Sequence, residues 1–122
     1  MAAAPHILIA YNHQMVRRAL VSAVVQIYPL AVITGVANGA EALTTYVQHG
    51  ADLLITEDHM PVTEHVGLIR ALRAQQVTCA IVLVSFDHTL EATAKAAGAS
   101  RFLPAPFELT ELRQALAGLL SP

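Results

Sequence analysis

Glu57, Asp58 and His59 stand together directly after the apolar run Leu53 to Ile55, and Met60-Pro61 follows them. An apolar segment of strand length that breaks into two acids, a histidine and a proline predicts a buried strand that delivers polar side chains to the edge of a sheet. Carboxylates and imidazoles in such a place can bind a divalent cation. His13 and His88 follow the first and fourth apolar runs, with Asp87 beside the latter. If those runs are parallel strands, His13, His59 and His88 approach Glu57, Asp58 and Asp87 on one edge, a donor set suited to zinc. Their spacing matches no metal motif, and exposed, solvated histidines are the simpler account of them. No glycine-rich phosphate loop is present, Asn38-Gly39 reading as a turn. Ser22 and Ser85 have no evident base for acyl transfer, so the residues predict no enzyme.

The elements that must position these side chains alternate regularly. His6 to Ala10 is a nearly continuous apolar run, suited to a strand buried on both faces. Met15, Val16, Ala19, Leu20, Ala23, Val24 and Ile27 recur at helical spacing, with Asn12 or His13 as the cap and Pro29 beyond the end. Ala31 to Val36 reads as a second strand, and Asn38-Gly39 turns the chain into a helix with Ala42, Leu43, Tyr46 and Val47 on one face, ended by Gly50. After the third strand a helix is expected from about Glu64 to Ala74, carrying Val66, Ile69, Leu72 and Arg73. Cys79 to Val84 is a fourth strand, Thr89 to Ala97 a short alanine-rich helix ended by Gly98, and Arg101 to Leu103 a fifth strand. Leu109, Leu112, Leu116 and Leu119 stripe a last helix. Five βα units predict right-handed crossovers and an α/β fold: a doubly wound, five-stranded parallel sheet with helices on both faces, of flavodoxin-like type.

The 122 residues suit one domain, residues 1–122, with a single core and no staples. Cys79, the only cysteine, opens an apolar run and reads as a small buried hydrophobe. Net charge is −2 and the longest basic cluster is Arg17-Arg18, so this domain alone is not expected to bind nucleic acid. Residues 1–5 lack the features of a signal peptide, and no apolar run reaches membrane-spanning length, which predicts a cytoplasmic protein. Only 13% of residues are charged, below the usual quarter or so, a hint that one face is occluded by a partner.

Several landmarks in register carry a family resemblance: His6-Ile7-Leu8-Ile9-Ala10 before the first loop, Leu54-Ile55-Thr56 before Met60-Pro61, Val82-Leu83-Val84-Ser85, Ala97-Gly98-Ala99, and Phe102-Leu103-Pro104-Ala105-Pro106-Phe107. Across its whole length the chain resembles the receiver domain of bacterial two-component response regulators, of the chemotaxis-regulator type. His13-Gln14-Met15-Val16-Arg17-Arg18 looks most like receivers joined to helix-turn-helix output domains. The resemblance implies a magnesium-binding acid pair after the first strand, a phosphoacceptor aspartate four residues before the Met-Pro proline, a hydroxyl after the fourth strand and a lysine after the fifth. In this chain those positions hold Tyr11 and Asn12, Glu57, Ser85 and Ala105, and only Ser85 fits.

A phenol and an amide replace two of the three carboxylates that would hold magnesium, so the metal is expected to be lost and no cofactor is expected in its place. The missing lysine removes a charge-assisted contact of about 1.5–3 kcal/mol that reads the phosphate in the family. The expectation is an atypical, degenerate receiver acting without phosphorylation, its altered pocket formed by Tyr11, Asn12, Glu57, Ser85, Phe102 and Ala105. Glu57 either imitates a phosphoaspartate, bonded to Ser85, or is a solvated acid at a strand end. Asp58 is the alternative acceptor, and strand alternation should point it away from the pocket unless the strand has already ended. Tyr11 is expected to fill the altered pocket by packing on Met60 or Pro61, and Ala105-Pro106 is expected to be cis as in the family.

Signalling would then run through a protein partner or a homodimer, using the surface of the fourth helix, fifth strand and fifth helix that receivers commonly pair through. Arg101, Glu108, Glu111 and Arg113 would set its register. The alternatives are a receiver still phosphorylated on Asp58 or Glu57, and a small-ligand or metal sensor using the vacated switch-point pocket.

Overall fold

The strands are apolar along most of their length, and the central ones have no face to offer to water; in the computed structural model, which describes residues 4–59 and 66–120, helices cover the sheet on both sides. In chain order the elements are β1 (His6–Ala10), α1 (Gln14–Ile27), β2 (Val32–Val36), α2 (Gly39–His49), β3 (Leu53–Glu57), α3 (Gly67–Ala74) and β4 (Ala80–Ser85), then a 3-10 turn at His88–Leu90 running into α4 (Glu91–Ala97), β5 (Arg101–Pro104) and α5 (Leu109–Leu116). All pairings are parallel and the strand order is β2-β1-β3-β4-β5. The chain therefore reverses its travel across the sheet between β1 and β3, where doubly wound folds open a crevice at the C-terminal strand ends.

Alternation along the strands divides the core in two. Ile7, Ile9, Leu53, Ile55, Val82 and Val84 pack with Leu20 and Val24 of α1 and Leu112 and Leu116 of α5. Leu8, Leu54, Ile81 and Leu83 pack on the opposite face with Ala42 of α2, Ile69 and Leu72 of α3, and Ala94 of α4. Each fully buried Leu or Ile contributes about 1.5–3 kcal/mol, so hydrocarbon on both faces holds the sheet and the polar crevice can vary without unfolding it.

The helix ends follow from side chains. His13 accepts the Val16 N–H through Nδ1 at 3.4 Å to start α1, and Asn38 accepts the Glu41 N–H at 2.8 Å to start α2. Gly98 ends α4 with φ at +117°, and a Cβ there would lie 2.7 Å from Arg73 Cγ. That close approach exists because Arg73 of α3 staples the region. It donates twice to the Gly98 carbonyl, at 2.8 and 3.0 Å, and once each to those of Val77 and Cys79, at 2.7 and 2.8 Å.

The expected fold is the observed one, with shifts at element ends. β2 begins at Val32 rather than Ala31, β4 runs Ala80–Ser85 rather than from Cys79, and β5 extends through Pro104. The helix expected over Thr89 to Ala97 opens as a 3-10 turn because Asp87 accepts the Thr89 N–H at 3.0 Å, and its α-helical part begins at Glu91. α3 begins at Gly67, and the part of that helix expected at Glu64 and His65 lies outside the described residues.

Candidate functional site

Four strand ends and the start of α1 meet at the C-terminal edge of the sheet. They enclose a cleft of about 280 Å³ between α1 and the β5–α5 loop. Tyr11, Glu57, Asp58, Ser85 and Ala105 all reach it, and His59, Val16, Ala19, Leu20, Ala23 and Phe107 are among the residues that complete its walls. The polar groups are supplied from the sheet edge and the apolar ones from α1 and the loop.

Glu57 is the last residue of β3, and its Oε2 accepts the backbone N–H of Asn12 at 2.6 Å. The acid at the acceptor position thus ties β3 to the β1–α1 loop. Ser85 Oγ is turned to its own chain, accepting the Asp87 N–H at 2.9 Å. No Ser85–Glu57 bond occurs in this arrangement, the contact on which a phosphoaspartate-like Glu57 would depend. Asn12 faces outward, with Nδ2 3.4 Å from the Ala37 carbonyl. Arg17 closes the loop from below, donating to the carbonyls of Tyr11 at 2.7 Å and Asn12 at 3.3 Å.

β3 ends before Asp58, so strand alternation no longer governs that residue and it turns into the cleft rather than away from it. It is 4% exposed, and its Oδ2 has no hydrogen-bond partner among the described residues. His59 Nε2 lies 3.5 Å from that oxygen, within reach of charge attraction but not hydrogen-bonded to it.

Ala105 occupies the position after β5, its N–H donating to the Ser85 carbonyl at 2.9 Å. His88 Nε2 stands 3.0 Å from the Ala105 carbonyl, bonded in the tautomer that carries its proton on Nε2. The Ala105-Pro106 peptide is cis. Phe102 is not brought to the cleft: alternation along β5 sends Leu103 to the α1/α5 face and Phe102 to the opposite one, against the α2/α3/α4 core. Among the described residues no three His, Cys, Asp or Glu side chains gather in a way that can hold a metal ion. His13 and His88 are engaged in the backbone contacts just described.

Tyr11 is 7% exposed and packs into the α1/α5 core; its expected neighbours Met60 and Pro61 lie outside the described residues. Burial pushes its phenol well above the ordinary tyrosine value, and the charges of Glu57 and Asp58 push it further. The folded state therefore keeps this proton to higher pH than the unfolded chain does. Its contribution to stability is complete below about pH 10 and is lost as pH rises beyond, at up to about 1.4 kcal/mol per pH unit. Urea unfolding on either side of that pH should show a shallower alkaline loss in Tyr11→Phe than in the wild type. Cys79, whose thiol burial also raises, contributes equally to both proteins.

Arg101 donates to the carbonyls of Ala115 and Ala117, each at 3.1 Å, and so caps α5, while Glu108 and Glu111 form its capping box. Three of the four residues expected to set the register of a pairing surface are thus engaged within the chain. Sequence reasoning missed these arginine staples, since basic residues far apart in sequence gave no sign of which carbonyls they meet.

The strand order and the crevice at the switch point, built from β1, β3, β4 and β5, define a doubly wound protein of the flavodoxin-like class. A family model for the response regulator receiver domain matches residues 7–117, and the chain belongs to that family. Chemotaxis response regulator CheY4 of Vibrio cholerae superposes with a TM-score of 0.85 at 22% identity, covering 97% of this chain and 100% of that one. The receiver domain of NarL from Mycobacterium tuberculosis gives 0.82 at 21% identity, with 94% of each chain covered. A LuxR-family DNA-binding response regulator from Staphylococcus aureus gives 0.82 at 15%, covering 92% of this chain and 95% of that one. No curated protein matches the sequence. Among the described residues no helix is long and apolar enough to cross a membrane.

Proposed function

We propose that this receiver acts without phosphorylation, through protein contact in signal transduction or transcription regulation. The observation that carries the reading is the Glu57 carboxylate, bonded to the Asn12 N–H at 2.6 Å instead of standing free at the acceptor position. Magnesium does not fit the residues present. Asn12 offers an outward amide, the Tyr11 phenol holds its proton, and one Glu57 oxygen is already engaged, which leaves Asp58 and the other Glu57 oxygen as the hard side-chain donors among the described cleft residues, a sparse set for an ion that demands a near-octahedral oxygen shell. Without Lys or Arg among the cleft residues, an incoming phosphoryl group would meet two carboxylates and no fixed cation. The partner surface is assigned to α4, β5 and α5, as a homodimer or with another protein. Low overall charge and the exposed apolar Leu109 at the start of α5 support it.

A second reading rests on Asp58, which is buried in the cleft with an unbonded oxygen and is therefore a possible phosphoacceptor. Amide NMR spectra with magnesium and beryllofluoride, which imitates the phosphoryl group, separate the two. An unchanged spectrum is expected. Shifts spreading from Glu57 and Asp58 through Ser85 would show a working switch and overturn the proposal.

A further inference from the structure

The cleft combines a buried carboxylate oxygen that lacks a hydrogen bond with walls of hydrocarbon, and the two features need different things from an occupant. Asp58 is 4% exposed and its Oδ2 is unbonded among the described residues, so a donor supplied from outside the chain would complete it. Glu57 adds a second acid at the same end, and His59 is the one basic side chain among the described lining residues. The lining has no Lys or Arg, which favours a positively charged guest and disfavours an anion. Val16, Ala19, Leu20, Ala23 and Phe107 offer nothing to the waters that a small hydrated metal ion keeps, but they suit an apolar body. An apolar cavity of about 150 Å³ takes up benzene. At about 280 Å³ this one has room for a ring and a short arm.

We propose that the cleft between α1 and the β5–α5 loop binds a small organic ammonium compound, its charged head on Asp58 and its flat apolar body against Ala19, Ala23 and Phe107. The ammonium donates to Asp58 Oδ2, and the body bridges α1 to the loop that leads into α5. Occupancy would brace those two elements against each other, giving the receiver an input other than phosphate. The inference rests on the preceding reading in one respect, that the cleft is not claimed by magnesium and a phosphoryl group.

Phenethylamine is the probe, titrated in magnesium-free buffer and followed by amide NMR, with phenethyl alcohol and phenylacetate as the neutral and anionic counterparts. Saturable shifts at Ala19, Ala23, Val84 and Phe107 are expected with the amine, and at least about tenfold weaker binding with the alcohol and the acid. Asp58→Asn should abolish the preference for the amine. Ala19→Leu, at an exposed helix position where folding is little affected, should block all three by narrowing the cleft. Absence of saturable shifts, equal binding of amine and alcohol, or an unchanged amine affinity in Asp58→Asn would overturn the proposal. The beryllofluoride titration reports separately on phosphorylation independence, so a failure of either reading is identified by its own experiment.

Discussion

Replacing Arg73 by alanine is expected to lower the unfolding free energy by about 3–5 kcal/mol, which for a domain of this size is a fall in melting temperature of roughly 10–20 °C. The guanidinium makes four hydrogen bonds to the carbonyls of Val77, Cys79 and Gly98, and these lie on two different connections. Removing it leaves three partly buried acceptors without their donor, at about 1–3 kcal/mol each where water does not replace it. Arg73→Lys keeps the charge and much of the stem, yet a single ammonium head cannot reach three carbonyls, so it should recover less than half of the loss. Gly98→Ala attacks the same junction from the other side, through its positive φ and the 2.7 Å approach to Arg73 Cγ. The two substitutions together should cost less than their sum, since each destroys what the other disturbs. Urea and thermal unfolding of the three single variants and the double one provide the check. A loss below about 1 kcal/mol for Arg73→Ala would mean that water satisfies those carbonyls.

The junction also shows where sequence reading stops. Arg73 is visible in the sequence only as one more residue on a helical stripe, because its partners at Val77, Cys79 and Gly98 are backbone atoms whose positions depend on how α3 and α4 pack. The strands were legible for the opposite reason: their apolar runs must be buried on both faces, and only a parallel sheet sandwiched by helices does that. Their ends were less legible. Asp58 illustrates the consequence, since whether it faces the cleft depends on β3 stopping at Glu57, a matter of one residue that no periodicity resolves. Tyr11, Glu57, Ser85 and Ala105 could be placed on one edge from their positions after strands, and the structure brings them to one cleft. Phe102 could not be placed so, because its side is fixed by the register of β5 on β4, which pairs it with Leu83. The bond from Asn12 to Glu57 was equally out of reach, joining residues 45 apart through a main-chain donor.

Acetyl phosphate with magnesium is expected to leave the wild-type chain unmodified by intact-mass measurement, while the Asn12→Asp, Glu57→Asp, Ala105→Lys triple variant is phosphorylated at least about a hundredfold faster. Each substitution supplies a different missing part. Asn12→Asp adds a hard ligand for the metal, Glu57→Asp withdraws the carboxylate from the Asn12 N–H by one methylene, and Ala105→Lys sets a cation beside Ser85 at the end of β5. Glu57→Asp alone should remain inert, because a shortened acid without its metal and lysine still presents a phosphoryl donor with unopposed negative charge. The control that matters most is Asp58→Asn in the wild-type background. If wild type does take up a phosphoryl group and Asp58→Asn abolishes it, the buried acid with the unbonded Oδ2 is the acceptor, and the Glu57–Asn12 tie is a brace within a working site. If no adduct forms in either protein, the same unbonded oxygen is left with charge and no covalent chemistry, which is the state in which an external cation gains most by binding there.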